Sequence, residues 1–178
     1  MYHICTIFRL SMHQAPTEVF ICAFIVHCPV DSFGGWAALA VDDTFKVDGI
    51  TFKVTSISPN EVQVGAGGGN IAISLDTEGV MNIPSSVKDS EGNSYSVTGI
   101  GNSAFSSCEK LTEIKIPNSV TTIDSYAFES CSGITSVTLP DGLKSIGTNA
   151  FTRCTSLVSA AIPKGITNVE SLIFSGCI

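Results

Sequence analysis

The stretch IPNSVTTIDSYAFESCSGITSVTLP, residues 116–140, begins and ends with an apolar residue followed by proline. It is one unit of a repeat, because the prolines at positions 117, 140 and 163 lie 23 residues apart. Other positions keep the same step, and they are Ala104, Ala127 and Ala150; Phe105, Phe128, Phe151 and Phe174; Cys108, Cys131, Cys154 and Cys177; Ile100, Ile123, Ile146 and Val169; and Val97, Val120, Leu143 and Ile166. A fixed period of this length predicts a solenoid, in which each unit buries its apolar face against its neighbours.

The sequence of each unit, which is called a rung below, predicts one short strand followed by a return path. The segments Leu111-x-x-Ile114-x-Ile116, Ile134-x-x-Val137-x-Leu139 and Leu157-x-x-Ala160-x-Ile162 fit the pattern L-x-x-L-x-L. The alternation at Ile114 and Ile116 indicates two inward side chains. Pro117 ends the strand because it has no N–H to donate to a neighbour. The small residues and the phenylalanine of Ser-x-Ala-Phe-x-x-Cys favour a tight, buried turn on the way back.

These residues resemble the BspA-type, or Treponema pallidum-type, leucine-rich repeat family. Residues 116–137 follow its pattern I-P-x-x-V-x-x-I-x-x-x-A-F-x-x-C-x-x-L-x-x-I almost position by position, and the resemblance extends over residues 83–178. It implies a secreted or cell-surface protein that binds host matrix or microbial surface proteins in the manner of an adhesin. The family motif is a scaffold motif, so it implies no catalytic, cofactor-binding or metal-ligating residues.

The predicted fold class is mostly β, a leucine-rich-repeat solenoid of 23-residue units with short parallel strands, preceded by an N-terminal antiparallel β cap. Residues 41–82 form the predicted cap, with a hairpin turn at Asp48-Gly49 and two further strands around a glycine-rich turn. Residues 83–178 hold about four rungs, the last incomplete, since the chain ends one residue after Cys177. The first rung carries extra residues around Glu91-Gly92-Asn93, which predicts an inserted hairpin.

Residues 1–40 are predicted to be a signal peptide. The apolar run at residues 19–30 is shorter than the about 20 residues that span a membrane, and Ala38-Leu39-Ala40 fits a cleavage site. We therefore expect no membrane span in the mature chain. An N-terminal strand or helix packed on the domain is the alternative, and Met12 is an alternative start.

Charge and histidine content limit the classes of function. Residues 41–178 hold 8 Lys and Arg against 14 Asp and Glu, scattered along the chain, which argues against a nucleic-acid partner. All three histidines precede the predicted cleavage site, so a mature chain lacks the histidine of Cys/His and Ser/His/Asp nucleophile systems. We predict that the protein is not an enzyme and needs no cofactor.

The four repeat cysteines allow two arrangements. A ladder of buried thiols is favoured, because a free cysteine commonly packs as a small apolar residue. Cys108–Cys131 or Cys154–Cys177 disulfides are the alternative, since neighbouring rungs stand about 4.8 Å apart. A zinc site is disfavoured, because its ligands come in close pairs and a 23-residue step offers none.

The outward side chains of the predicted strands form the candidate protein-binding face. They are Glu113, Lys115, Ser136, Thr138, Ser159 and Ala161. The predicted partner is a host matrix protein or a microbial surface protein. The alternative is a structural spacer, or a fragment of a larger surface protein, with no ligand of its own, and the incomplete last rung favours it.

Overall fold

A computed structural model describes residues 38–166 and 171–177, all of them in the unit Ala37–Ile178. The other unit of the chain, Met1–Trp36, and most of the predicted signal peptide lie outside the described residues. Within the described part the chain forms eleven strands and no helix. The strands are β1 Thr44–Val47, β2 Ile50–Ile57, β3 Asn60–Val64, β4 Gly79–Asn82, β5 Ser86–Lys88, β6 Ser94–Ile100, β7 Leu111–Lys115, β8 Thr122–Ile123, β9 Ser136–Thr138, β10 Ser145–Ile146 and β11 Ser159–Ala161.

The strands form two sheets. The first has four strands in the order β11-β9-β7-β4, and all its pairs are parallel. The second has seven, in the order β1-β2-β3-β6-β8-β10, with β5 paired to β6. The register advances by one repeat at each step, since Glu113 pairs with Ser136 and Ser136 with Ser159. The solenoid predicted from the 23-residue period is confirmed.

Each complete rung contributes one strand to each sheet, where the sequence predicted a single strand per rung. The second strand holds only two residues: in β8, Thr122 is exposed and Ile123 is buried. It pairs in parallel with β6 on one side and β10 on the other. Two residues are too few to show an alternation along the chain, so only the stacking of rungs reveals this strand.

Side chains from equivalent positions stack in columns inside the solenoid. The rings of Phe105, Phe128, Phe151 and Phe174 form one column, with centroid separations of 5.3, 4.9 and 5.5 Å and interplanar angles of 3°, 11° and 16°. The first three rings are fully buried. The columns bury apolar area that one rung alone would leave in water, which stabilises the stack by about 25 cal/mol per Å².

The N-terminal strands continue the larger sheet. β1 and β2 form the predicted hairpin, and its turn residues Asp48 and Gly49 have φ angles of 50° and 81°. β3 pairs antiparallel with β2 and parallel with β6, so these strands and the rungs share one sheet. The second strand expected after the glycine-rich turn does not form. Residues 71–75 are not a strand because Ala72 bonds elsewhere, its N–H donating to Ala104 O at 2.6 Å and its carbonyl accepting from Thr51 N at 2.8 Å.

The inserted hairpin of the first rung is present as β5 and β6. Asp89 holds its turn, with Oδ1 accepting from the backbone N of Glu91 at 3.0 Å and of Asn93 at 2.9 Å. Tyr95 is buried and its ring lies 5.6 Å from that of Phe45 on β1. The hairpin therefore packs against the N-terminal strands.

Candidate functional site

The outer face of the four-stranded sheet carries the six residues predicted as a binding face. Glu113, Ser136 and Ser159 form one row across β7, β9 and β11, and Lys115, Thr138 and Ala161 form the next. Between these rows lie Ile114, Val137 and Ala160, which point into the core or pack against it. All six predicted residues are exposed or half-exposed, so the sheet brings them together on one surface. Their role in binding stays a prediction.

Two residues of β4 extend the same face and were not included in the prediction. Val80 pairs with Glu113, and Asn82 pairs with Lys115. Val80 is 48% exposed, which places an apolar side chain beside the charged residues of β7. The inserted hairpin lengthens the step between β4 and β7, so these residues do not fall on the 23-residue period. Allowing for that insertion would have identified them.

A further exposed row runs beside the candidate face. Thr112, Thr135 and Val158 are joined by backbone bonds, Thr135 N to Thr112 O at 3.3 Å and Val158 N to Thr135 O at 3.1 Å. Val158 is 85% exposed. The apolar patch next to it is a shallow cavity of about 180 Å³ bounded by Leu157, Ala160 and Phe174. Val158 therefore places an exposed apolar side chain where the two preceding rungs carry threonine.

A cleft of about 400 Å³ lies at the ends of β7 and β9, next to the candidate face. Glu113, Lys115 and Thr138 line it together with Asn118 and Asp141 of the loops that follow these strands. Its wall also includes the apolar Ile116, Leu139 and Pro140. Within the described residues, none of the three charged side chains of the cleft, Glu113, Lys115 and Asp141, forms an ion pair. The cleft thus offers two carboxylates, one ammonium group and an apolar wall to a partner.

The repeat cysteines are free thiols, of which Cys108, Cys131 and Cys154 are buried in the core and Cys177 is half-buried against it. The Sγ atoms of Cys131, Cys154 and Cys177 donate to the carbonyl oxygens of Phe105, Phe128 and Phe151 at 3.0, 3.1 and 3.2 Å. Each thiol therefore bonds to the rung before its own, which favours the predicted thiol ladder over the disulfides.

Burial sets the acidity of these thiols. Desolvation raises the pKa of Cys108 to about 11 and that of Cys154 to about 12, and it raises the pKa of Cys131 and of Cys177 as well. The thiolate is the reactive and metal-binding form, so these groups are inert at neutral pH. Across the described residues, no cluster of His, Cys, Asp or Glu is placed to hold a metal ion.

Three carboxylates near the N-terminal strands and the inserted hairpin, those of Asp42, Asp43 and Asp89, take part in local ion pairs or hydrogen bonds. Asp42 Oδ1 lies 2.7 Å from Lys53 Nζ, and Asp43 Oδ2 accepts from Ala40 N at 2.7 Å. Asp89 bonds to its own turn, as described above. Burial acts to raise the pKa of Asp89, but hydrogen bonds from Asn93, Glu91 and Tyr95 together hold that pKa below its ordinary value. In the described portion of the chain, no helix is long and apolar enough to cross a membrane.

A family model described as the BspA type leucine rich repeat region, in six copies, matches residues 82–178. A leucine-rich repeat protein from Bacteroides ovatus ATCC 8483 is similar in structure, with 35% identity and a TM-score of 0.66. That match covers 75% of this chain and 33% of that protein, so the chain spans about a third of its length. No curated protein matches the sequence.

Two other solved structures are similar. A leucine-rich repeat protein from Bacteroides capillosus ATCC 29799 has 27% identity and a TM-score of 0.61, over 72% of this chain and 88% of that one. A leucine rich cell surface protein from Faecalibacterium prausnitzii A2-165 has 24% identity and a TM-score of 0.59, over 76% of this chain and 40% of that one. The last likeness supports the fold alone.

Proposed function

The chain belongs to the BspA-type leucine-rich repeat family, and on that premise we propose that it is a secreted or cell-surface protein-interaction module of the adhesin type. The repeat family and its leucine-rich repeat neighbours point to a non-enzymatic scaffold. Solenoids of this kind commonly use an extended sheet face as a binding surface. The predicted signal peptide at residues 1–40 supports a location outside the cytoplasm.

The observation that carries the proposal is the continuous outer face of the four-stranded sheet with the cleft beside it. Four parallel strands at about 4.8 Å give a face about 15 Å wide. Glu113 and Lys115 stand on this face without an ion-pair partner in the described residues, so both charges are available to a protein partner. We propose a host matrix protein or a microbial surface protein as that partner.

The size and composition of the face favour a weak contact. Within the described residues it carries no aromatic side chain, and aromatic anchors are typical of tight interfaces. Several weak contacts made together can reach high avidity, so display of many copies on a surface would compensate for a weak single site.

The test changes four residues of the face together, as Glu113→Thr, Lys115→Thr, Ser136→Lys and Thr138→Glu. These substitutions keep the number of charges and introduce only residue types that the strands of this face already carry. Binding is measured on immobilised purified matrix proteins and on whole microbial cells, with the protein displayed in multivalent form. We expect the unchanged protein to bind at least one of these surfaces and the fourfold variant to lose that binding at an unchanged melting temperature.

A matched control exchanges Thr44→Lys and Lys46→Thr on β1, which lies in the other sheet. This control should bind like the unchanged protein. Binding that survives the fourfold change would show that the face is not the contact surface. Failure of the unchanged protein to bind any matrix or microbial surface would support the second candidate function, a structural spacer, which the absence of aromatic anchors from the face also favours.

A further inference from the structure

The larger sheet has a groove on its outer face that the proposed function does not use. The groove has a volume of about 420 Å³, within the range of small-ligand and peptide sites. Gly99 of β6 lies at its base. Glu61 and Gln63 of β3 stand on one side, and Thr122 of β8 and Lys144 stand on the other. Every side chain that lines it is polar.

Gly99 occupies the position at which the later rungs carry a hydroxyl residue. Gly99 pairs with Thr122, and Thr122 pairs with Ser145. Gly99 does not have a positive φ, so its backbone conformation does not require glycine. A Cβ at this position would lie 2.9 Å from Thr122 Oγ1 and 3.4 Å from Gln63 Cβ, so glycine is required here because these two side chains pack closely over it.

Two threonine hydroxyls, those of Thr98 and Thr121, line the groove, and Thr121 Oγ1 donates to Thr98 O at 3.3 Å. Thr121 N donates to Thr98 O at 2.8 Å, and Lys144 N donates to Thr121 O at 2.8 Å, so these three residues are neighbours in adjacent rungs. The pairing of β3 with β6 shifts between Val62 and Gln63, which leaves Thr98 as an extra residue in β6. Such bulges redirect side chains next to binding sites.

Two opposite charges stand on opposite sides of the groove. Glu61 lies on β3, and Lys144 directly precedes β10, so three strand spacings of the sheet order β3-β6-β8-β10 separate them. The strands that carry them are therefore about 14 Å apart, because neighbouring strands stand about 4.8 Å apart. Within the described residues neither group has an ion-pair partner, whereas nearby Lys53 is paired with Asp42 at 2.7 Å.

We propose that this groove binds an extended peptide segment that crosses the strands, with a basic residue at Glu61 and an acidic residue at Lys144. An extended chain advances about 3.3 Å per residue, so the two charged residues of the ligand stand about four positions apart. The hydroxyls of Thr98 and Thr121 meet its backbone between the charges. The site lies in the other sheet from the candidate protein-binding face and does not depend on it.

The experiment titrates the isotope-labelled protein with acetyl-Lys-Gly-Ser-Gly-Asp-amide and follows backbone amide signals by NMR. We expect saturable shifts at Gln63, Gly99 and Thr122. The peptide acetyl-Lys-Asp-Gly-Ser-Gly-amide has the same composition with adjacent charges and should bind more weakly. Glu61→Gln and Lys144→Gln should each weaken binding of the first peptide about two- to fivefold, as expected for one exposed ion pair.

Lys164→Gln is the matched control, because it removes the same charge at a position that lines neither this groove nor the cleft beside the candidate face, and it should leave this titration unchanged. The amide spectra themselves report whether each variant is folded. Equal binding of the two peptides, or binding that is insensitive to both groove variants, would overturn the proposal. A neutral disaccharide that shifts these amides when the peptide does not would also overturn it. Loss of matrix or cell binding in the fourfold variant is a separate readout, so the two proposals fail independently.

Discussion

At the scale of single residues, each rung places two residues in the left-handed backbone region, four positions apart. Their φ angles lie between 55° and 74°, although only one of the residues is glycine. The first series is Ser103, Tyr126, Asn149 and Leu172, and the second is Ser107, Ser130, Arg153 and Gly176. For a non-glycine residue this conformation costs about 1–2 kcal/mol. The recurrence at the same positions shows that stacking outweighs local preference in the return path.

The phenylalanine column gives the sharpest prediction for a single side chain. Phe128 is fully buried and stacks on both Phe105 and Phe151, at 5.3 and 4.9 Å. We expect Phe128→Ala to lower the free energy of unfolding by about 3–5 kcal/mol, because it leaves a cavity in the middle of the stack. Urea denaturation followed by circular dichroism measures the change.

Phe174→Ala provides the comparison, since Phe174 is only partly buried and has a single described aromatic neighbour, Phe151. This variant should lose clearly less stability than Phe128→Ala. Equal losses for the two variants, or a neutral Phe128→Ala, would contradict the inferred column.

At the scale of elements, no strand of a rung could be stable alone. β8 and β10 have two residues each, and hydrogen bonds to neighbouring rungs hold them in place. The return path adds a third set of such bonds: Phe105 N donates to Ala127 O at 2.8 Å, and Phe128 N donates to Ala150 O at 2.8 Å. Three sets of backbone bonds therefore tie each rung to the next, and the separation between rungs is narrowly defined.

Close approach between rungs makes Gly133→Ala a test of that separation. A Cβ at Gly133 would collide with the backbone carbonyl oxygens of Glu109 and Leu111 in the preceding rung. These oxygens belong to the backbone, so the clash is relieved only by moving one rung relative to another. We expect a loss of about 1–3 kcal/mol, typical of overpacking, measured as a fall in the urea midpoint.

Gly142→Ala is the matched change, because the nearest atom to its added Cβ, Asn118 O, lies at 3.4 Å. It should cost less than Gly133→Ala. The reverse order would show that rungs can separate more easily than the backbone bonds between them indicate.

At the scale of the whole molecule, the buried thiols couple stability to pH. Burial raises the pKa of Cys108 to about 11 and that of Cys154 to about 12, from an ordinary value of 9.0. Above pH 9 the unfolded chain releases thiol protons that the folded chain retains, so stability falls as the pH rises. The contribution is complete below pH 9 and is lost as the pH rises through the folded-state values.

We therefore expect the melting temperature to fall between about pH 9 and pH 12. A variant with Cys108, Cys131 and Cys154 all changed to alanine should be less stable at pH 8. Its melting temperature should fall less steeply with pH, because it lacks the buried thiols that titrate in this range. The same slope in both proteins would mean that lysine and tyrosine, not the thiols, govern the alkaline transition.

The sequence alone determined the solenoid, its period and its inward side chains. It could do so because the same buried positions recur every 23 residues, so Phe105, Phe128 and Phe151 identify one column without any coordinates. The six residues of the candidate face followed from the same repetition. The hairpin turn at Asp48-Gly49 was readable because its signal is local and lies within two residues.

Only the tertiary structure decided the features that depend on contacts between rungs or on breaks in the period. The two-residue strands have too little sequence for a pattern, and they form because both neighbouring rungs supply partners. Val80 lies on the candidate face although the inserted hairpin takes it out of the 23-residue period. Residues 71–75 do not form a strand because the backbone of Ala72 bonds to Thr51 and Ala104. The groove above Gly99 likewise arises from side chains of different rungs and strands. The repeat makes the structure of a rung predictable from the sequence, whereas the spaces between rungs depend on packing in three dimensions.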